Sequence, residues 1–205
     1  MKKVFLLFTF ILLSSGLFFF AKKINSQISG SVNVSVNLPD WPPIINFSVI
    51  PEKRIPLTGN NSTNAVLEVR ELGTTNVLVS FSPLITDNNG DYTGLTLTSI
   101  IRGNYDLVIK GYSHLKKKLT VNGLLPGDYN SKVEFGTVLI GDVKITAMLP
   151  NGDNQVNSLD MGYLVSQWGT GDTGVSENRS DVDENGIVNS LDMGKVIANY
   201  GLNGD

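Results

Sequence analysis

The 205-residue chain has no cysteine and one histidine, His114. Without thiols there is no disulfide framework, no thiol nucleophile and no thiolate metal site. His114 has no catalytic companions around it and reads as a surface or turn residue. Positive charge is also thin, with 16 Lys and Arg against 19 Asp and Glu. No basic cluster interleaved with aromatics points to nucleic acid. The triplet Lys116, Lys117 and Lys118 lies in a strand-like segment, where lysine commonly blunts an exposed sheet edge. No pair of carboxylates stands in an acid and nucleophile setting, and the chain is too short for most glycosidase folds beside its other parts.

One long apolar run is present. Residues 4–21 follow Met-Lys-Lys, are interrupted only by Thr9, Ser14, Ser15 and Gly16, and end at Lys22-Lys23. A basic start before an apolar core is the pattern of an export signal. Ala21 suits the last position before a cut, Phe19 is large for the position two earlier, and the run is near bilayer-spanning length. Residues 1–23 are therefore a cleaved signal peptide or an uncleaved anchor, and either exports the remainder to the cell surface or the medium. Membrane contact is expected only through this segment.

From residue 24 to 140 the apolar residues alternate. Ile28, Val32, Val34, Val36 and Leu38 open the pattern, and further strands are expected at 44–50, 65–72, 77–81, 92–98, 105–110, 115–121 and 133–140. Turn clusters separate them, among them Asp87-Asn-Asn-Gly90, an ordinary hairpin signal. Many short strands without helical stripes predict an antiparallel β-sandwich. The segments from Asp87 and from Gly103-Asn-Tyr-Asp-Leu-Val-Ile-Lys-Gly111 resemble the prealbumin-like, carboxypeptidase-regulatory-type sandwich, within the wider Ig-like class. Trp41, Tyr92, Tyr105 and Tyr112 invite a polysaccharide-binding reading, although core packing is the commoner use of aromatics at strand spacing.

Charge changes at residue 141. Residues 24–140 carry nine acidic and nine basic side chains, whereas 141–205 carry ten acidic and three basic. The acidity gathers around Asp181-Val-Asp-Glu-Asn-Gly-Ile-Val-Asn-Ser-Leu-Asp192, with oxygen-bearing residues at positions 1, 3, 5, 9 and 12 and Gly186 at position 6. That spacing is EF-hand-like: a hard cation such as Ca2+ takes six to eight oxygens, so a short loop curls around it and aims alternate side chains inward. Asp181, Asp183, Asn185 and Asp192 offer side-chain oxygens, Ile187 its carbonyl, and Asn189 a water-bridged contact. A helical stripe follows, with Met193, Val196, Ile197 and Tyr200 before Gly201.

The unit is duplicated. Asn157-Ser-Leu-Asp-Met-Gly162 repeats Asn189-Ser-Leu-Asp-Met-Gly194, and Met161, Leu164, Val165 and Trp168 repeat the stripe. One such unit cannot bury its own stripe, so the copies should pack on each other. In the first copy Asn151, Asp153, Gln155, Asn157 and Asp160 take positions 3, 5, 7, 9 and 12. Position 1 is open: direct counting puts Leu149 there, which has no ligand oxygen, whereas an insertion of residues 144–150 would return Asp142 to it. Asn154 stands where Gly186 stands in the second loop. Asp160 and Asp192 also suit the first turn of a helix without any metal.

Duplicated loops of this pattern, each followed by an apolar helix, resemble the type I dockerin, a calcium-dependent module that plugs into cohesin domains. The resemblance covers residues 141–205. It implies Ca2+ as cofactor, a cohesin-like partner, and recognition through Ser158, Leu159, Ser190 and Leu191, with contacts continuing along the helices to Tyr163 and Lys195. At 100° per residue Leu159, Tyr163, Leu191 and Lys195 fall opposite the stripes. Dockerins often accompany polysaccharide-degrading enzymes, but this chain carries no catalytic constellation of its own. The expectation is an exported, non-catalytic protein: leader 1–23, sandwich 24–140 and a small all-α docking domain 141–205. The rivals are a calcium-braced surface protein and a carbohydrate-binding sandwich.

Overall fold

The computed structural model describes residues 42–52, 61–101, 103–124, 132–143, 152–171 and 180–205. The leader, the strand expected near residues 28–38, Trp41, residues 144–150 and Asn151 lie outside them. Residues from Pro39 to Asp205 form one compact unit. Among the described residues no helix is long and apolar enough to cross a membrane.

Among the described residues seven strands form, each over an expected segment: β1 Ile44–Pro51, β2 Asn64–Glu71, β3 Val77–Ile85, β4 Asp91–Thr96, β5 Gly103–Gly111, β6 Lys117–Leu124 and β7 Lys132–Val138. They make a three-stranded sheet, β4-β1-β7, and a four-stranded sheet, β3-β2-β5-β6. Alternation explains the burial. In β1, Ile45, Phe47 and Val49 turn inward, and in β2 so do Ala65, Leu67 and Val69. With Leu107 and Ile109 of β5 and Val133, Phe135 and Val138 of β7 they form one core shared by both sheets. Phe47 is its centre, stacked on Tyr92 at 5.2 Å and edge-on to Phe135 at 6.2 Å. Tyr92 and Tyr105 pack against this core.

Three expectations are corrected. The sheets are not wholly antiparallel, because β1 runs parallel to β7 while pairing antiparallel with β4. The turn at Asp87 forms, with Asp87 Oδ1 accepting from the N–H groups of Asn89 and Asp91. It is not a hairpin, since it joins β3 of one sheet to β4 of the other. His114 is buried, not superficial, because the link between β5 and β6 folds beneath the C-terminal region and bridges to Ile140. Of the lysine triplet, Lys117 and Lys118 begin an edge strand, β6, and Lys116 lies just before it.

Among the described residues two helices follow, α1 Ser158–Ser166 and α2 Ser190–Ala198. A second core joins them to the sheets through Leu115, Ile140, Val143, Val156, Leu164, Val182, Val188 and Val196. The copies interlock: Val188 exchanges backbone bonds with Gly169 and Thr170 after α1, and Val156 with Gly201 and Leu202 after α2.

Candidate metal centre

Each helix begins with a reciprocal cap. Asn157 and Asn189 accept from the backbone of the first turn, while Asp160 and Asp192 accept the N-cap N–H groups through Oδ2, both at 2.9 Å. The same two aspartates also close the loops. Asp192 Oδ1 accepts the N–H of Val182 at 2.9 Å, and Asp160 Oδ1 accepts that of Val143 at 2.9 Å. Cap and loop closure are thus one device, and it fixes the rotation of each helix.

That rotation differs from the stripes expected. Asp160 and Leu164 are buried in α1, and Asp192 and Val196 in α2. Because the loop requires Asp160 and Asp192 inside, Val165 and Ile197 swing out to solvent, and so do Trp168 and Tyr200 beyond the helix ends. Tyr163, expected outside, packs on the second core instead. Lys195 folds back to Asp183, its Nζ 2.7 Å from Oδ2. Leu159 and Leu191 do point outward, 58 % and 55 % exposed. Ser158 and Ser190 beside them are also exposed.

The second loop gathers buried charge. Asp181, Asp183 and Asp192 each bring a carboxylate oxygen within 4.8 Å of the others. Burial raises the carboxyl pKa of Asp181 to about 6, helped by its two acidic neighbours and opposed by the Gly186 N–H; Asp192 is raised by burial as well. Three such groups repel one another unless a cation or protons intervene. Asn185 Oδ1 accepts the Ile187 N–H at 3.1 Å, and the Ile187 carbonyl accepts from Asn189 Nδ2 at 3.1 Å, so these residues set the curl of the loop. Gly186 makes the turn at φ +94°. The donor set, hard oxygens with excess negative charge, fits a divalent cation.

The first loop shares the frame. Asn154 N–H donates to Asp142 Oδ2 at 2.9 Å, as Gly186 N–H does to Asp181 Oδ2 at 2.9 Å. Asp142 is therefore the structural counterpart of Asp181, and Leu149 is not needed for position 1. Asn154 takes the left-handed turn at φ +66°. The chemistry differs. Asp153 binds within its own loop, accepting from Gln155 N–H and Asn157 Nδ2, and Gln155 is exposed. Among the described residues no third carboxylate joins Asp142 and Asp160. Instead the Lys110 ammonium, from β5, contacts Asp142 Oδ2 directly and donates to the His114 carbonyl at 2.7 Å. Burial still raises the Asp142 carboxyl pKa, with Lys110 and the Asn154 N–H opposing. Sequence reasoning missed Lys110, because a lone lysine near the end of a strand carries no sign of burial.

Residues 150–199 match the family described as dockerin type I domain. Over those residues the chain is similar to a type I dockerin. No curated protein matches the chain. The solved structures it resembles include an N-terminal and a C-terminal interface mutant of a type II cohesin–X–dockerin complex from Acetivibrio cellulolyticus. They are 18 % and 17 % identical, each with a TM-score of 0.51 over 78 % of this chain and 97 % of theirs. That share exceeds what either the sheets or the dockerin could supply alone, so the likeness runs through both. At this identity it is a likeness of fold.

Proposed function

We propose that the protein is an exported, non-catalytic docking component. Its dockerin binds Ca2+ in the second loop and presents a face to a cohesin-like partner. The observation that carries this reading is a pairing: a buried cluster of Asp181, Asp183 and Asp192 beside Leu159 and Leu191, exposed at equivalent positions of two repeats. Val165 and Ile197, also exposed, extend the apolar surface along both helices. Asn185, the Ile187 carbonyl and Asn189 would complete the metal's shell. The dockerin family and a fold shared with members of cohesin–X–dockerin complexes support the partner class.

Calcium acts on stability and shape, not on a substrate. A chain that binds it only when folded gains about 2.7 kcal/mol at a hundredfold excess over Kd. The link to polysaccharide breakdown is by family alone. The sheets form a β-sandwich that serves as a spacer, with Tyr92 and Tyr105 packed against its core. A second reading, a calcium-braced structural pair, draws on the packing of the dockerin against its own sheets, where Asn199 Nδ2 donates to Glu52 Oε2 at 2.6 Å. The two separate in one experiment. Purified type I and type II cohesin domains are titrated onto the chain with calcium and with chelator. Binding that needs calcium and vanishes in Leu159→Asp/Leu191→Asp is expected. No binding to either class, or binding indifferent to both leucines, would favour the brace.

A further inference from the structure

The two loops have the same backbone frame and different cations within reach. In the second, Lys195 lies on α2 with its side chain 16 % exposed, and its stem can swing away when a metal arrives. In the first, the Lys110 side chain is 4 % exposed and rooted in a central strand of the four-stranded sheet, between β2 and β6. It cannot leave without opening the sheet. Asp142 is fully buried. Its Oδ2 also takes the Asn154 N–H, and its Oδ1, which has no hydrogen-bond partner among the described residues, faces Gly152 so closely that a Cβ there would lie 2.0 Å from it. The described residues of the first loop therefore do not fit a resident divalent cation.

We propose that the Lys110 ammonium is the resident cation of the first loop. A monovalent charge from the sheet replaces the metal, so the chain takes up one calcium, and the first loop folds only with the sheets beneath it. The same seam carries further bonds that tie the parts together. Asn154 Oδ1 accepts the Lys116 N–H at 2.7 Å, and Asp205 Oδ2 accepts the Lys118 N–H at 2.8 Å. A buried ion pair held this way is costly to break on one side and cheap to replace on both. The consequence is a dockerin with a metal-responsive half and a latched half.

The proposal rests on the calcium reading of the second loop only for its stoichiometry. Calorimetric titration of calcium onto the full chain should give one equivalent. Two equivalents would overturn the latch, while none would contradict the second-loop reading and leave the melts to judge the latch. In thermal melts Lys110→Met should lower the midpoint by a similar amount in calcium and in chelator, because the latch does not involve the metal. The double variant Lys110→Met/Asp142→Leu, which removes both charges, should recover most of the loss and still bind one calcium. It guards against a single variant that fails to fold. An unchanged midpoint in Lys110→Met, or a loss seen only with calcium present, would sink the idea.

Discussion

Two copies of one motif fold to the same backbone and meet their charge in different ways. Three equivalent hydrogen bonds recur at 2.9 Å: the residue after position 1 to the closing aspartate, position 6 to position 1, and the cap to the closing aspartate. What differs is the filling. The second loop concentrates three carboxylates on one point, whereas among the described residues the first brings two, Asp142 and Asp160, and gives Asp142 to a lysine. Backbone geometry alone therefore does not make a metal site; the excess of oxygen donors does.

The largest effect should come from the closing aspartates. Asp192→Ala strips acceptors from the N–H groups of Val182, Asp183 and Asn189 and a carboxylate from the cluster. It should cost on the order of 3 kcal/mol, from unsatisfied buried donors, and erase the response to calcium. Asp160→Ala should cost about 2 kcal/mol for two lost bonds and leave the response intact. Denaturant melts with calcium and with chelator separate the two. Equal loss of the calcium response in both would erase the asymmetry.

Acid comes next. The metal-free fold binds the Asp181 proton more tightly than the unfolded chain does, since its carboxyl is pushed up to about 6 from 3.8. For this group stability is greatest below about pH 4 and falls as pH rises to about 6. Calcium affinity should rise through that window and level off above it, because metal and proton compete. Glu68 and Asp106 in the sheets behave oppositely. Burial works against the carboxyl of Glu68, but Lys116 and Arg70 prevail and hold it below its ordinary range; Thr120 does the same for Asp106. Their contribution is present above about pH 4 and lost as pH falls through their depressed values. Chelator melts across pH 3.5–7 should show these opposing slopes, read with the dockerin and sheet signals.

Smaller effects test the turns and the second lysine. Gly186→Ala forces a side chain into φ +94° and should cost about 1–3 kcal/mol, read as weaker calcium binding in titration. Asn154→Gly relaxes the matching turn but loses the Lys116 bond, and should leave calcium binding unchanged. Lys195→Met removes an ammonium that competes for Asp183 and should tighten calcium binding about threefold, the worth of a partly exposed pair. Weaker binding would mean that the lysine helps build the site.

The sequence was most informative where chemistry is local. Alternation locates all seven strands among the described residues, and the spacing from Asp181 to Asp192 locates the carboxylate cluster. It was silent where partners are distant. The parallel pairing of β1 with β7 joins segments some 80 residues apart, and nothing in either strand names its neighbour. The helical stripes expected from the apolar residues alone are one step off, because they leave out Asp160 and Asp192, which are expected as loop ligands. They face inward to serve the loops, which brings Tyr163 in and turns Val165 out. The insertion of residues 144–150 hid the role of Asp142, which became plain only when its bond to Asn154 could be set beside that of Asp181 to Gly186.

The most direct test is the thermal midpoint of the full chain at pH 7 in calcium and in chelator, for wild type and Asp183→Asn. Asp183 belongs to the cluster but takes no part in closing the first loop. A midpoint several degrees higher with calcium in wild type, and the same midpoint in both solutions for Asp183→Asn, is the predicted result. A wild-type midpoint indifferent to calcium, or a calcium gain that survives Asp183→Asn, would contradict a second loop that binds the metal and organises the docking face.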